Sequence, residues 1–319
     1  MPLRVLFFGT PAFAVPTLER LVGSPHEVVG VITQPDRPRG RGQQIQPEAV
    51  KRAADGWKLP ILQPETLKDP RWLQSIDALA PDLGVVAAYG RILPQALIDL
   101  PRLGMINVHA SLLPRWRGAA PIHRAVIAGD RTTGVTIMRV VLALDAGPML
   151  AKAETEIQPV ETSRELEGRL ATLGANLAGA TIDRLADGPV DETPQDEREM
   201  TYAARLTRRD SVIDWARPPE VIHNQIRGVQ PWPLAGVVMK GRRVMFLQSA
   251  VGDPASLQAA PGTVVAVDSD SFSVAAQPGT VRILEIQEAG RAPTTVKAYL
   301  NGRRIAVGEV LTPLPAAPA

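Results

Sequence analysis

The sequence predicts an α/β protein in two parts, a Rossmann-like open parallel sheet followed by a smaller OB-like β-barrel. Three observations predict it. Residues 3–33 read as strand, turn, helix, strand, the βαβ unit from which parallel sheets are built. Strand-like and helix-like stretches then alternate to about residue 187. Beyond residue 200 the pattern changes to short β segments separated by Gly, Pro, Asp and Ser, the spacing of a small barrel. A chain of 319 residues suits two domains. They are expected over 1–190 and 208–319, with 191–207 as a linker.

Each element has its own warrant. Leu3 to Gly9 is a nearly continuous apolar run, as in a strand covered on both faces. Gly9-Thr10-Pro11 turns the chain into a helix over Ala14–Val22, with Pro16 tolerated near its start. His26–Thr33 is the second strand, but the second and third glycines of the dinucleotide fingerprint are missing after Gly9. That argues against a nicotinamide or flavin enzyme. The loop Gln34–Gln44 holds Arg37, Arg39 and Arg41 between prolines and glycines, with little to bury. It is either a solvated loop or a basic arm that orders on a polyanion. Helices follow over Pro47–Gly56 and Asp69–Leu79, and strands over Leu59–Leu62 and Asp82–Ala88. A loop at Tyr89–Pro94 leads to a short helix ending at Ile98. Gly104–Ile106 is a short strand that leads into the stretch from Asn107, Ala120–Ala128 a helix, Thr133–Asp145 a strand or strand pair, and Met149–Ile157 an alternating strand. A long amphipathic helix over Ser163–Ala186 has Thr162 or Ser163 as its cap. Asp191–Glu199 is almost wholly polar and acidic, as linkers are.

Composition narrows the chemistry. There is no cysteine, which excludes disulfides, thiolate metal sites and a thiol nucleophile. No stretch reaches the roughly 20 apolar residues of a membrane span, and no secretory leader is apparent. A soluble cytoplasmic protein is expected. Net charge is only +2. From Arg205 onward, however, 13 basic residues face 9 acidic ones, while the first 204 residues carry 22 against 24. A basic C-terminal part points to an anionic partner. The four histidines (26, 109, 123, 223) are scattered and show no metal-ligand spacing.

The densest chemistry lies between Asn107 and Arg117. Asn107 and His109 are two apart on a strand, so both side chains share a face. An amide can polarise a carbonyl while an imidazole handles a proton; two satisfied polar groups at a strand end have the same spacing. Asp145 stands at the tip of a later turn, and a carboxylate near an imidazole favours its protonated form and fixes its orientation. G-x-S-x-G is absent, so the set suits acid/base-assisted transfer between two bound substrates better than a covalent acyl-enzyme. His123 reads as structural, Arg117 as either a loop brace or an anion contact, and Trp215 and Trp232 as packing residues.

Asn107-x-His109-x-Ser111-Leu-Leu-Pro114 followed by Asp145 resembles the signature of the folate-dependent formyltransferases. Phe8–Thr17, Gln34–Pro38, Ala88–Pro94, Ser111–Ile122, Ile213–Trp215 and Arg227–Pro233 extend the likeness over nearly the whole chain. They resemble most the branch whose acceptor is methionyl-initiator-tRNA. The resemblance implies a formyltransferase fold and 10-formyltetrahydrofolate as formyl donor, with no metal, no membrane and a monomeric chain. It implies Asn107, His109 and Asp145 as catalytic residues. Tyr89, Gly90, Ile92, Ser111, Leu112, Leu113 and Pro114 would bind the folate. Arg37, Arg39, Arg41, Arg208, Arg209, Arg242 and Arg243 would bind the tRNA. The alternatives are a small amine acceptor, such as a nucleotide sugar or a purine precursor, and a non-catalytic tRNA-binding protein. One departure stands out: the approach Val140–Leu144 is apolar and Ala146 follows Asp145, where the family usually has a polar or glycine-bearing approach and Asp-Thr-Gly.

Overall fold

The computed structural model describes residues 1–39, 44–253 and 259–315. Two compact units emerge. The first comprises Met1–Pro121, Thr132–Glu156 and Glu167–Ala203; the second comprises Ile122–Arg131, Ile157–Leu166 and Ala204–Ala319.

The chain begins with β1 (Arg4–Gly9), α1 (Val15–Val22) and β2 (Glu27–Ile32). A small hairpin of β3 (Arg37–Arg39) and β4 (Gln44–Gln46) follows. Next come α2 (Ala49–Gly56), β5 (Ile61–Leu62), α3 (Pro70–Asp77), β6 (Leu83–Ala87), α4 (Gln95–Ile98) and β7 (Met105–His109). Asp69 caps α3 by accepting from the Arg71 amide at 3.0 Å, and Pro70 fills the first helical position. β8 (Arg117–Gly118), α5 (Pro121–Ala128), β9 (Thr132–Arg139), β10 (Met149–Glu156) and α6 (Ser163–Asp187) complete this stretch. Thr162 is the cap of α6: its hydroxyl accepts from Glu165 N, and Glu165 returns a carboxylate to Thr162 N at 2.8 Å.

The first unit is built on a seven-stranded sheet ordered β10-β9-β7-β6-β1-β2-β5. Its five strands from β7 to β5 are parallel. β9 and β10 add an antiparallel edge. β1 and β6 are buried almost throughout, as their unbroken apolar runs require. The outer strand β10 alternates half-buried and exposed from Ala151 on. Chain order reverses beside β1, so the crevice past the strand ends there is where such sheets place ligands. The strand expected over Thr133–Asp145 stops at Arg139. Val141, Leu142 and Leu144 are exposed, so the apolar run that suggested more strand is a loop whose side chains are not buried.

After β11 (Tyr202–Ala203), which pairs with β8, come α7 (Pro219–Gly228), β12 (Gly236–Met239) and β13 (Arg242–Val251). β14 (Val264–Val267), β15 (Phe272–Ala275), β16 (Thr280–Glu288), β17 (Thr294–Thr295), α8 (Val296–Leu300) and β18 (Thr312–Pro313) follow. The second unit's sheet runs β14-β15-β16-β13-β12-β18. Residues 308–311 bond to β14 and its approach: Gly308 N to Val264 O, Val264 N to Glu309 O, and Leu311 N to Gly262 O, each at 2.8 Å. One final segment therefore touches both β14 and β12 and closes the sheet on itself, the OB-like barrel expected from the strand spacing. Phe246 stacks edge-on to both Trp215 and Phe272 in its core. Trp215 is thus a packing residue. Trp232 is not, being half exposed beside Pro231 and Pro233, where the chain offers it no cover.

Of residues 191–207, expected to be a linker, 191–203 belong to the first unit and 204–207 to the second. Thr193 bridges Met149 at 2.8 Å, and Glu192 pairs with Arg139 at 2.7 Å. Glu192 and Glu197 thus face basic partners elsewhere in the unit, while Asp196 pairs with Arg198 within the stretch.

Candidate active site

β7 carries the central pair. It lies between β6 and β9, so its backbone is bonded on both sides and its last residues are fixed. Asn107 is half-buried and its side-chain amide has no hydrogen-bond partner among the described residues. His109 is buried. Its Nε2 donates to the Trp116 carbonyl at 2.9 Å, which leaves Nδ1 facing Asp145 Oδ2 at 3.8 Å. That separation is an ion-pair distance and is too long for a hydrogen bond. Asp145 Oδ2 instead accepts from Gly118 N at 2.9 Å. Amide, imidazole and carboxylate are therefore collected in one unit. The carboxylate is one small movement short of bonding the ring.

The loop from Ala110 to Gly118 is held from below. Ser111 Oγ donates to Arg115 O at 2.6 Å, and Thr136 Oγ1 of β9 donates to Ser111 O at 2.7 Å while accepting from Leu113 N. Lys152 donates to Leu113 O. Trp116 N donates to Thr201 Oγ1 at 2.9 Å. Gly118 has φ +117, and a Cβ there would lie 2.7 Å from the Tyr202 ring, so no other residue fits that turn. Three non-glycine residues adopt left-handed backbone at the loops concerned: Ala88 (φ 47), Trp116 (φ 66) and Asp145 (φ 50). Such strain concentrates at functional sites because the surroundings must hold it.

Arg117 resolves in favour of a loop brace. It is buried, its Nε donates to Gln195 Oε1 at 2.8 Å, and Glu197 pairs with its guanidinium at 2.7 and 3.1 Å. That hydrogen bond holds the Glu197 carboxyl below its usual range. Gln195 and Glu197 carry no local signal of this role, because they sit in an acidic stretch with the composition of a linker. The available signal was Arg117 itself, since an arginine in so apolar a stretch needs an acidic partner.

The residues proposed for folate divide. Ser111, Leu113 and Pro114 are buried and Leu112 half-buried along the loop just described. Ile92 is 81% exposed and Gly90 takes φ +79, both on the loop after β6. Tyr89 is different: its ring is buried edge-on to Phe8, and burial pushes its hydroxyl pKa up. Its carbonyl accepts from Gln34 Nε2 at 2.7 Å and from Thr10 Oγ1, tying together the ends of β1, β2 and β6. Tyr89 thus braces these strand ends through its backbone carbonyl, with its ring in the core. No group of three or more His, Asp or Glu among the described residues is placed to hold a metal.

The arginines also divide. Arg37 is exposed on β3; the Arg39 backbone lies in the same strand, and Arg41 lies outside the described residues. Arg208, Arg209 and Arg243 are exposed and have no ion pair among the described residues. Arg242 bonds Glu288 at 2.5 Å, beside Arg303 at 3.1 Å and Arg291 at 3.6 Å. The Arg242 hydrogen bond, with Arg303 and Arg291 beside it, holds the Glu288 carboxyl below its usual range. Three guanidinium groups around one carboxylate leave a net positive cluster. Nothing local in the sequence singles out Arg291 and Arg303. Their convergence depends on the fold bringing the β12–β13 turn, the end of β16 and residues 301–304 together. His123 is structural, its Nδ1 donating to Gly228 O at 2.9 Å.

Residues 3–182 match the formyl transferase family, and residues 205–304 match the formyl transferase C-terminal domain. The chain belongs to the formyl transferase family. It is 45% identical over 312 residues to methionyl-tRNA formyltransferase of Pseudomonas syringae pv. syringae (strain B728a), covering 97% of this chain and 98% of that one. It is 44% identical over 309 residues to methionyl-tRNA formyltransferase of Moorella thermoacetica, covering 97% and 99%. Among solved structures, the N-formyltransferase from Helicobacter canadensis in complex with folinic acid and dTDP-3-aminofucose shares the fold. Its TM-score is 0.68 at 16% identity, covering 88% of this chain and 98% of that one.

Proposed function

We propose that this chain transfers the formyl group of 10-formyltetrahydrofolate to the α-amine of methionyl-initiator-tRNA. The observation that carries the proposal is the likeness to methionyl-tRNA formyltransferases over 97% of the chain, which takes in the second unit and its basic surplus. A small amine acceptor would give that surplus nothing to do.

The neutral amine attacks the formyl carbon, a new C–N bond forms, and the carbonyl oxygen takes negative charge. Asn107, whose amide has no other partner, donates to that oxygen; donors of this kind contribute about 3–4 kcal/mol when preorganised. The bond from the formyl carbon to folate N10 then breaks. The proton lost by the amine ends on N10, and His109 carries it between them. Asp145 stabilises the imidazolium formed on the way, closing the 3.8 Å gap. Ser111, Leu112, Leu113 and Pro114, with Gly90 and Ile92 from the loop after β6 and the Tyr89 backbone, border the folate.

Residues 1–190 act as the catalytic portion and 208–319 as the tRNA-binding portion. Arg208, Arg209, Arg242 and Arg243 meet phosphates, and Arg37, Arg39 and Arg41 form an arm toward the acceptor stem. The chain works as a cytoplasmic monomer; no helix among the described residues is long and apolar enough to cross a membrane. Incubation with 10-formyltetrahydrofolate and charged initiator tRNA should yield N-formylmethionyl-tRNA. No product with the tRNA, but product with a nucleotide-linked amino sugar, would overturn the proposal in favour of a small acceptor.

A further inference from the structure

The turn that carries Asp145 is poorly secured by its own residues. Val140 packs against the core, but Val141, Leu142 and Leu144 are 39, 58 and 54% exposed, so packing does not fix the approach beyond Val140. Asp145 nevertheless adopts a left-handed backbone that a side chain with a Cβ resists. Something outside the turn must hold it.

We infer that Gln195 is a positioning residue for the Asp145 carboxylate, which rests on the assignment of Asp145 and His109 to formyl transfer. The Gln195 side-chain amide nitrogen donates to two carbonyl oxygens of the turn, Asp145 O and Gly147 O, both at 2.8 Å. Its oxygen accepts from Arg117 Nε at 2.8 Å, so donors and acceptor are all used. Arg117 is buried and clamped by Glu197. The next residue, Gly118, donates its amide to Asp145 Oδ2. The backbone of Asp145 is thus fixed through Gln195, and its side chain through Gly118. Both fixings lead to the β8–β11 pair next to the loop that receives the His109 ring proton at Trp116 O. Gly147 completes the arrangement: a Cβ there would lie 1.9 Å from the Arg139 carbonyl oxygen, so the turn closes tightly enough to present two carbonyls to one amide. Only a primary amide of this length offers two donors on one side and an acceptor on the other. The acidic stretch around Gln195 is a brace for the reaction centre.

The test compares Gln195→Met, which loses donors and acceptor, with Gln195→Glu, which keeps the partner for Arg117 but turns a carboxylate toward two carbonyls. Each should lower kcat for formylation of methionyl-tRNA roughly ten- to a hundredfold, the scale of misplacing a reacting group, with KM for tRNA and folate nearly unchanged. In an Asp145→Asn background, Gln195→Met should cost less than about twofold, because the group it positions is already disabled. Full additivity in that cycle, or unchanged kcat in both variants, overturns the inference. Amide exchange across residues 140–148 supplies a readout independent of activity. It should accelerate in Gln195→Met, and unaltered exchange overturns the inference. Inactivity of the unsubstituted chain would refute the functional assignment, and the exchange measurement then decides by itself whether Gln195 holds the turn. Should Gln195→Met fail to fold, Gln195→Glu carries the same measurements.

Discussion

The neighbourhood of β7 in the first unit and the arginine-bearing surface of the second are organised on opposite principles. Around β7 the side chains assigned to the reaction are buried or half-buried and few, and their bonds are specific: His109 bonds one carbonyl, Asp145 one amide, Ser111 one carbonyl. On the barrel, Arg208, Arg209 and Arg243 stand exposed without ion pairs among the described residues, and Arg242 shares a carboxylate with two more arginines. Chemistry on one formyl carbon needs a few atoms in fixed places. Holding a polyanion needs summed charge and tolerates imprecision. Loss of one group should therefore be severe in the first region and gradual in the second.

His109→Ala tests the severe side most directly. It should reduce kcat by about 10²–10⁴-fold, the range of a general acid–base group, while tRNA affinity by filter binding stays the same. A variant keeping most of its rate would remove His109 from the reaction. Asn107→Ala should follow, with a loss of about 10²–10³ in kcat for one oxyanion donor, again without a change in tRNA affinity. A rise in KM alone would make Asn107 a binding residue and blur the contrast.

The gradual side is tested by Arg208→Ala, Arg209→Ala, Arg242→Ala and Arg243→Ala, singly and together. Each single change should weaken tRNA binding only severalfold and leave kcat at saturating tRNA intact. Each phosphate contact removed should flatten the slope of log K against log salt by about 0.7–0.9. If one substitution accounts for nearly all the loss, the surface contains a placed contact after all, and the comparison must be redrawn around it.

The two regions also differed in how far they could be read in advance. The parallel sheet was legible because strands buried on both faces need continuous apolar runs, as Val5–Gly9 and Leu83–Ala87 supply. The barrel was legible from strand spacing, although its closure through residues 308–311 depends on hydrogen bonds that no local pattern encodes. Asn107, His109 and Asp145 were singled out as residues, and the fold brings His109 and Asp145 to 3.8 Å. What held them was not legible. Gln195 and Glu197 lie about 80 residues from Arg117, in a segment whose composition matches a linker. Polarity there reflects a partner distant in sequence, and composition cannot distinguish that from solvent. The same limit affected Val141–Leu144, where apolar residues suggested strand yet lie exposed in a loop.

A smaller effect concerns two interior histidines, one in each unit. His26 Nε2 faces the Asp183 carboxylate at 3.1 Å. His223 has neutral partners instead: Nε2 donates to Pro159 O at 3.1 Å and Nδ1 accepts from Ser249 Oγ at 3.0 Å. Burial pushes the His223 pKa below its usual 6.5, and the nearby Arg227 cation adds to this against the two hydrogen bonds. The unfolded chain, with an ordinary imidazole, therefore binds a proton more readily than the folded one. Stability from this group is complete above pH 6.5 and is lost as pH falls from there toward the lowered folded value. Carboxylates titrate lower, near pH 4, and leave this window largely to histidine. Thermal melts between pH 7.5 and 5.5 should show the second unit losing stability on acidification, and His223→Gln should flatten that dependence even if it lowers the overall melting point. An identical pH slope in the variant would move the source of acid sensitivity elsewhere.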